Sequence, residues 1–350
     1  MTHEPQLRPK LSAVIPCYNE EAVIHALYHR ITLACRSLVN DNYELVLVND
    51  GSLDNTWAML QQLAQNDDRV VAVDLSRNYG HQLALSAGLS LARGQRVLVI
   101  DADLQDPPEL LPEMMQLMDG GADVVYGQRV QRDGETWFKK MSARTFYRLM
   151  LYMTDVPIPP DTGDFRLMNR QVVDALLAMP EQQRFIRGMV AWVGFRQVAL
   201  EYRRHERFAG ETKYPVHKML TFAMDAITGF SIAPLRISLY AAFLFIGFAA
   251  LLIIVVVFAW LYKGTVPGWT SIFLGMLVFS SVQLFCLGLI GEYLGRMYTQ
   301  TKQRPLFIIR EIVSAPVAVE QPLAKVGDFA LEAEIIKPQR LATIGSQSRK

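Results

Sequence analysis

Cysteine is scarce in this chain, with three among 350 residues. Cys17, Cys35 and Cys286 stand apart in apolar surroundings without metal-type spacing. No disulfide framework or zinc ribbon is expected, and a reducing compartment is. An excess of either charge is also missing. The formal net charge is +1, so there is no global basic field to attract nucleic acid, and no nucleic-acid partner is expected. The polar start, Met1 to Lys10, lacks the apolar core of a secretory signal. No G-x-G-x-x-G follows the first apolar run and there is no P-loop, which argues against dinucleotide and P-loop NTPase chemistry.

What is present is an alternation. Leu11–Ile15, Tyr43–Val48, Val70–Leu75, Val97–Ile100 and Asp123–Tyr126 read as strands, and helical periodicities such as Val23, Leu27, Ile31 and Ala34 separate them. Short connections between the two predict a parallel sheet with helices on both faces. The run Val97–Ile100 stops at two carboxylates, Asp101 and Asp103, with Gln105 two residues on and Pro107-Pro108 opening a helix. Hard oxygen ligands at the C-terminal end of a buried strand suit Mg²⁺ or Mn²⁺, and open α/β sheets bind ligands just beyond that end. The blander alternative is an acidic loop that caps the next helix through Asp106. Asp161–Arg166 reads as a Gly-hinged polar loop before an amphipathic helix, Asn169 to Met179.

From Arg129 to Arg148, cations (Arg129, Arg132, Lys139, Lys140, Arg144, Arg148) interleave with Trp137, Phe138, Phe146 and Tyr147. That mixture describes either a solvated basic helix or one lying on an anionic membrane surface. Two stretches, about 237–262 and 270–291, carry no charge and exceed the roughly 20 residues that span a hydrocarbon core. Arg236, Arg296, Lys302, Arg304 and Arg310 flank them, so the positive-inside rule puts both flanks in the cytoplasm. The expectation is a bacterial inner-membrane protein with a two-helix hairpin and a cytoplasmic catalytic region. Gln283 and the small residues Gly275, Gly288, Gly291 and Gly295 suit helix contacts, so a homo-oligomer is expected. Beyond about Val313 the chain reads as a mobile tail.

Seven stretches in order carry a resemblance: Val14-Ile-Pro-Cys-Tyr-Asn-Glu-Glu21, Val48-Asn-Asp-Gly-Ser-x-Asp54, Ser76-Arg-Asn-Tyr-Gly-His81, Asp101-Ala-Asp-Leu-Gln-Asp-Pro-Pro-Glu109, Gly163-Asp-Phe-Arg166, Gly210-Glu-Thr-Lys-Tyr214 and Gly291-Glu-Tyr-Leu-Gly-Arg296. Together they resemble family 2 glycosyltransferases of the polyprenyl-phosphate sugar transferase type. One departure is Asn49, where many relatives have Asp.

The resemblance implies a GT-A Rossmann-like α/β sheet with helices on both faces, amphipathic juxtamembrane helices and the hairpin. It implies an N-terminal arm over 1–10, a catalytic domain over 11–205, a juxtamembrane region over 206–235, membrane helices within 236–296 and a cytoplasmic segment over 297–350. Pro16, Tyr18, Glu20 and Asp50 would line the nucleoside pocket. Asp101, Asp103 and Gln105 would hold the metal, Arg207 and Lys213 would grip the diphosphate, and Arg129 and Arg144 would receive the lipid phosphate. Asp164 stands where relatives place an active-site carboxylate. The implied partners are a UDP-sugar, UDP-glucose first, and undecaprenyl phosphate. A membrane polysaccharide synthase and a non-catalytic nucleotide-sugar-binding membrane protein are the rival readings.

Overall fold

A computed structural model describes residues 8–129, 159, 162–203, 268–314 and scattered helical positions between 235 and 262. The strands are β1 (Leu11–Cys17), β2 (Tyr43–Asn49), β3 (Val70–Leu75), β4 (Arg96–Val99), β5 (Val124–Arg129), β6 (Thr162–Asn169), β7 (Gln197–Tyr202) and β8 (Ile309–Ser314). The helices are α1 (Ile24–Val39), α2 (Thr56–Asn66), α3 (His81–Leu91), α4 (Leu111–Asp119), α5 (Arg170–Ala178), α6 (Ile186–Trp192) and α7 (Trp269–Thr301).

The strands form one sheet in the order β7-β5-β6-β4-β1-β2-β3-β8. β1 pairs in parallel with both β2 and β4, and β2 with β3. The sheet is mixed, because β6 runs antiparallel to β4 and β5, and β8 antiparallel to β3. The expected parallel direction therefore holds for β1 to β5, and β5 pairs in parallel with β7, but β6 and β8 run against it. Leu27, Leu60 and Met114 of α1, α2 and α4 cover one face with Leu45 and Leu98. Leu85, Val172 and Met189 of α3, α5 and α6 cover the other with Val46 and Val97. Burial on both faces is why these strands read as unbroken apolar runs.

β6 corrects the reading of 161–166 as a polar loop. Asp164 and Arg166 sit two residues apart, on the same side of a strand, and both are buried. A strand can carry them because each finds partners inside the fold, and local propensity yields to that pairing.

α7 is 33 residues long, about 50 Å at 1.5 Å per residue, some 20 Å more than a hydrocarbon core. Its stretch Val278–Thr301 is the one helix among the described residues long and apolar enough to cross a membrane. Ile272, Met276, Leu284, Phe285, Leu287 and Leu294 along it are exposed. Its C-terminal end docks on the segment between α5 and α6. Gln300 donates to the Pro180 carbonyl (2.6 Å) and accepts from the Gln182 amide (2.9 Å), and Arg296 bonds Gln183. Half of the first expected span, 237–262, lies outside the described residues, and its described positions are helical.

Candidate active site

β1 pairs with β2 on one side and β4 on the other, so the chain winds away from β1 in both directions. Ligands of such sheets collect at that switch point, beyond the strands' C-terminal ends. The loops that emerge there are Tyr18–Glu20, Asp50–Asp54 and Asp101–Asp106.

Pro16 is buried in β1 opposite Val48, and Tyr18 behind it is exposed. Asn19 adopts a left-handed φ of 56°, which Asn tolerates. Its side chain accepts from the Leu53 amide (2.8 Å), and its own amide donates to Ser52 (3.0 Å). The Glu20 amide donates to Thr56 Oγ1 (2.9 Å). Asp50 is buried, and its two oxygens take the amides of Tyr79 (2.7 Å) and Gly80 (2.9 Å). Burial outweighs those bonds and raises its pKa. Gly51 permits this contact, since at φ +66° a Cβ would fall 2.5 Å from the Asn78 nitrogen. Asn49, the departure noted above, is used internally. It donates to Asp74 (2.7 Å) and accepts from the Ser52 amide (3.2 Å). Arg310 of β8 closes the other side of Asp74 (3.0 Å) and bonds the Ser76 carbonyl (2.6 Å).

The acidic loop does not cap a helix through Asp106. Asp106 is fully buried, accepts from the Tyr202 hydroxyl and lies 3.8 Å from Arg129. Arg129 also donates to Tyr202 (3.3 Å), and its guanidinium lies where a Cβ on Gly163 would fall. Arg129 thus links the acidic loop to β6. Within the loop, Asp103 accepts from the Gln105 amide (3.1 Å), Gln105 is nearly buried, and Leu104 holds a φ of 57°. A left-handed leucine is a strained position, the kind that clusters at functional sites.

Asp164 is the hub. Arg187 Nε donates to its Oδ1 (2.9 Å), while Gln82 Nε2 (3.0 Å) and Arg187 Nη2 (3.3 Å) donate to Oδ2. His81 Nε2 lies 3.0 Å from the same Oδ2 and 3.5 Å from Asp101 Oδ1. Burial alone would raise the Asp164 pKa, but the Arg187 charge and the His81 and Arg187 hydrogen bonds hold it well below the usual range. For His81, burial opposes the charged ring, and the Asp164 bond and two carboxylate charges win and raise its pKa. Burial lifts Asp101 to about 6 against the pull of His81.

His81, Asp101 and Asp164 place ligand atoms within 4.8 Å of one another, the geometry of a three-ligand metal site. The guanidinium on Asp164 argues against a cation among all three, because it would repel a dication. Asp101 fits a hard cation better. Its Oδ1 is buried without a hydrogen bond and faces the His81 ring at 3.5 Å, and a carboxylate oxygen placed so costs less free energy with a cation close by. Asp101 with Asp103 and Gln105 supplies the oxygen donors Mg²⁺ or Mn²⁺ prefers.

Pro16, Tyr18, Glu20, Asp50, Asp101, Asp103, Gln105, Arg129 and Asp164 thus stand on the loops and strand ends of one sheet. Arg144, Arg207 and Lys213 lie outside the described residues. Gln82, Arg187 and Tyr202 carry no mark in the sequence. His81 and Arg166 do, but only as the ends of motifs.

Residues 12–177 match the family model described as Glycosyl transferase family 2. The chain is 49% identical over 301 residues to an uncharacterized glycosyltransferase, YkcC, of Bacillus subtilis (strain 168), covering 86% of this chain and 93% of that one. It is 37% identical over 309 residues to the prophage bactoprenol glucosyl transferase homolog of Escherichia coli (strain K12), covering 87% and 99%. The bactoprenol glucosyl transferase of Shigella phage SfV is 37% identical over 306 residues, covering 86% and 98%.

Proposed function

Because the chain belongs to glycosyl transferase family 2 and is a glycosyltransferase, we propose that it moves a sugar from a nucleotide donor to a polyprenyl phosphate. We take the donor to be UDP-glucose, the acceptor undecaprenyl phosphate, and the place the cytoplasmic face of a bacterial inner membrane. The observation that carries this is Asp101 at the sheet's switch point, whose Oδ1 is buried without a hydrogen bond, in a chain that also carries the exposed apolar surface of α7. Relatives at 37% identity over nearly their whole length that are named for bactoprenol glucosylation support the acceptor class.

The chemistry suits these parts. A bound Mg²⁺ or Mn²⁺, held by Asp101 with Asp103 and Gln105, would supply the charge that offsets the leaving diphosphate. Arg207 and Lys213 share that role in our reading. Tyr18, Glu20 and the loop pinned by Asp50 face the nucleoside. A lipid monophosphate has a second pKa near 6 and is largely dianionic at neutral pH. It attacks the anomeric carbon without giving up a proton, with inversion, and needs orientation and cations more than a base. Arg129 and Arg144 provide the cations. Asp164, held far below neutral and hydrogen-bonded on both oxygens, would be a poor base; it organises the site. The apolar surface of α7 faces lipid, paired with the 237–262 stretch in a hairpin, and its small residues meet those of other copies in a homo-oligomer.

The test is incubation of the purified protein with undecaprenyl phosphate and a panel of UDP-sugars, with and without chelator, followed by mass analysis of the lipid. A glucosylated polyprenyl phosphate supports the reading. Transfer to soluble glucan, or donor binding without transfer, would replace it.

A further inference from the structure

Arg187 has no part in the chemistry described so far, yet it makes the closest contacts to the central carboxylate. It stands in the first turn of α6. Its Nε reaches Asp164 Oδ1 at 2.9 Å, its Nη2 reaches Oδ2 at 3.3 Å, and its Nη1 donates to the Thr162 carbonyl at 3.1 Å. One planar fork therefore holds both oxygens of the side chain and the strand backbone two residues before it. Gln82 completes the clamp. Its Nε2 donates to Asp164 Oδ2 (3.0 Å), while its Oε1 accepts from the Ile186 amide (2.9 Å), at the residue before Arg187. The starts of α3 and α6 are thus tied to one carboxylate. His81 occupies the remaining side of Asp164 Oδ2 at 3.0 Å and faces Asp101 at 3.5 Å. Arg187 places Asp164, and Asp164 places His81.

We propose that Arg187 is a positioning residue of the transfer reaction, fixing Asp164 and, through it, His81 against the carboxylate that ends β4. The proposal rests on the glycosyl-transfer reading above. Asp164 keeps its geometry because the guanidinium spans both of its oxygens. A lysine at 187 retains the charge but offers a point contact in place of the fork. Arg184, three residues earlier, is the structural control. It donates to the Leu176 and Met179 carbonyls at 2.8 Å each, which ties the end of α5 without touching Asp164.

The experiment uses full-length protein in detergent with UDP-glucose and undecaprenyl phosphate. Wild type is compared with Arg187→Ala, Arg187→Lys and Arg184→Ala for kcat, both KM values and melting temperature. Misplacing a catalytic geometry by about 1 Å costs about 100-fold, so Arg187→Ala is expected to lose about that much in kcat. Both KM values should stay within about threefold, because uniform binding is untouched. Arg187→Lys should fall between the two. Arg184→Ala should lower the melting temperature at least as far while keeping kcat within about threefold of wild type. If Arg187→Ala does not fold, Arg187→Lys carries the test through its kcat at unchanged KM. A kcat for Arg187→Ala near that of wild type would overturn the assignment. So would equal kcat losses in Arg184→Ala and Arg187→Ala at equal melting temperatures, which is the signature of a role in folding alone. A wild type that glycosylates no lipid overturns the transfer reading itself, and the inference with it, before any variant is compared.

Discussion

Asn49→Asp puts a second carboxylate against a buried one. In the protein, Asn49 Nδ2 donates to Asp74 Oδ1 at 2.7 Å, and both residues are 2% exposed. The variant replaces that donor with an oxygen. Two unit charges at that spacing repel by about 6 kcal/mol at an effective dielectric of about 20. Arg310 stays on Asp74 Oδ2 before and after, so its attraction cancels from the comparison. The variant pair relieves the repulsion by binding one proton, as close carboxylates do. That proton removes most of the repulsion, and what remains is the altered hydrogen bond between two buried groups, about 1–3 kcal/mol. The expected loss is of that size, and each kcal/mol lowers Tm by about 2–4 °C in a domain of this size. The sign with pH follows. The folded variant shares a proton between the two groups where its unfolded carboxyls, with pKa values of about 3.9, bind none, so its deficit shrinks as pH falls from 7.5 to 5.5. Melting of both proteins in the same detergent at the two pH values checks this, with Asn49→Asp/Asp74→Asn as a swap that restores one donor and one acceptor. Arg310 is 61% exposed and loses its partner in that swap at little cost. Equal Tm at pH 7.5, or a deficit that widens on acidification, would refute the reasoning.

Asp103→Ala is expected to abolish transfer, and excess chelator to do the same to wild type; full activity in chelator would remove the metal from the site. Arg129→Ala should weaken use of polyprenyl phosphate about 10- to 100-fold, the loss of one charge-assisted contact, while UDP binding by titration calorimetry stays nearly unchanged. Lys213→Ala should do the reverse, and equal losses for donor and acceptor in Arg129→Ala would end its assignment to the lipid phosphate. Asp164, with its pKa depressed in the fold, contributes stability that is present above the unfolded value of about 3.9 and is lost as pH falls through the folded one. The stability gap between wild type and Asp164→Asn, measured by denaturant unfolding, should therefore be widest near neutrality and narrow below about pH 4.

The switch-point loops were legible because each follows an unbroken apolar strand and carries side chains that have no business in a core. Asp101 and Asp50 announced themselves in that way. β6 did not, since Asp164 and Arg166 alternating with Phe165 and Leu167 read as polar groups of a loop, and the burial of Asp164 is licensed by Arg187 and His81, which stand 23 residues after and 83 before it. Arg187 and Tyr202 left no local mark at all. An arginine on a short helix and a tyrosine ending a strand are ordinary residues until the fold brings Asp164 and Asp106 to them. β8 was missed for a related reason, because Ile309–Ser314 is a short run with two charges, of which Arg310 counts as one more flanking cation. Its strand character comes from pairing with β3, 236 residues away between Arg310 and Asp74.

That separation has a consequence for how the protein is made. At about 5–20 residues per second, the ribosome reaches Arg310 about 12–47 s after Asp74. Until then the β3 edge presents unpaired amides and carbonyls, a template for wrong pairing, and Asp74 lacks its arginine. The loop that anchors Asp50 through Tyr79 and Gly80 hangs from that same edge, because the Ser76 amide and carbonyl bond Ile308 and Arg310. α7, the described helix long and apolar enough to cross a membrane, must therefore leave the ribosome before the sheet can close. Synthesis itself thus orders the two events, emergence of the long apolar helix first and completion of the loop that holds Asp50 second.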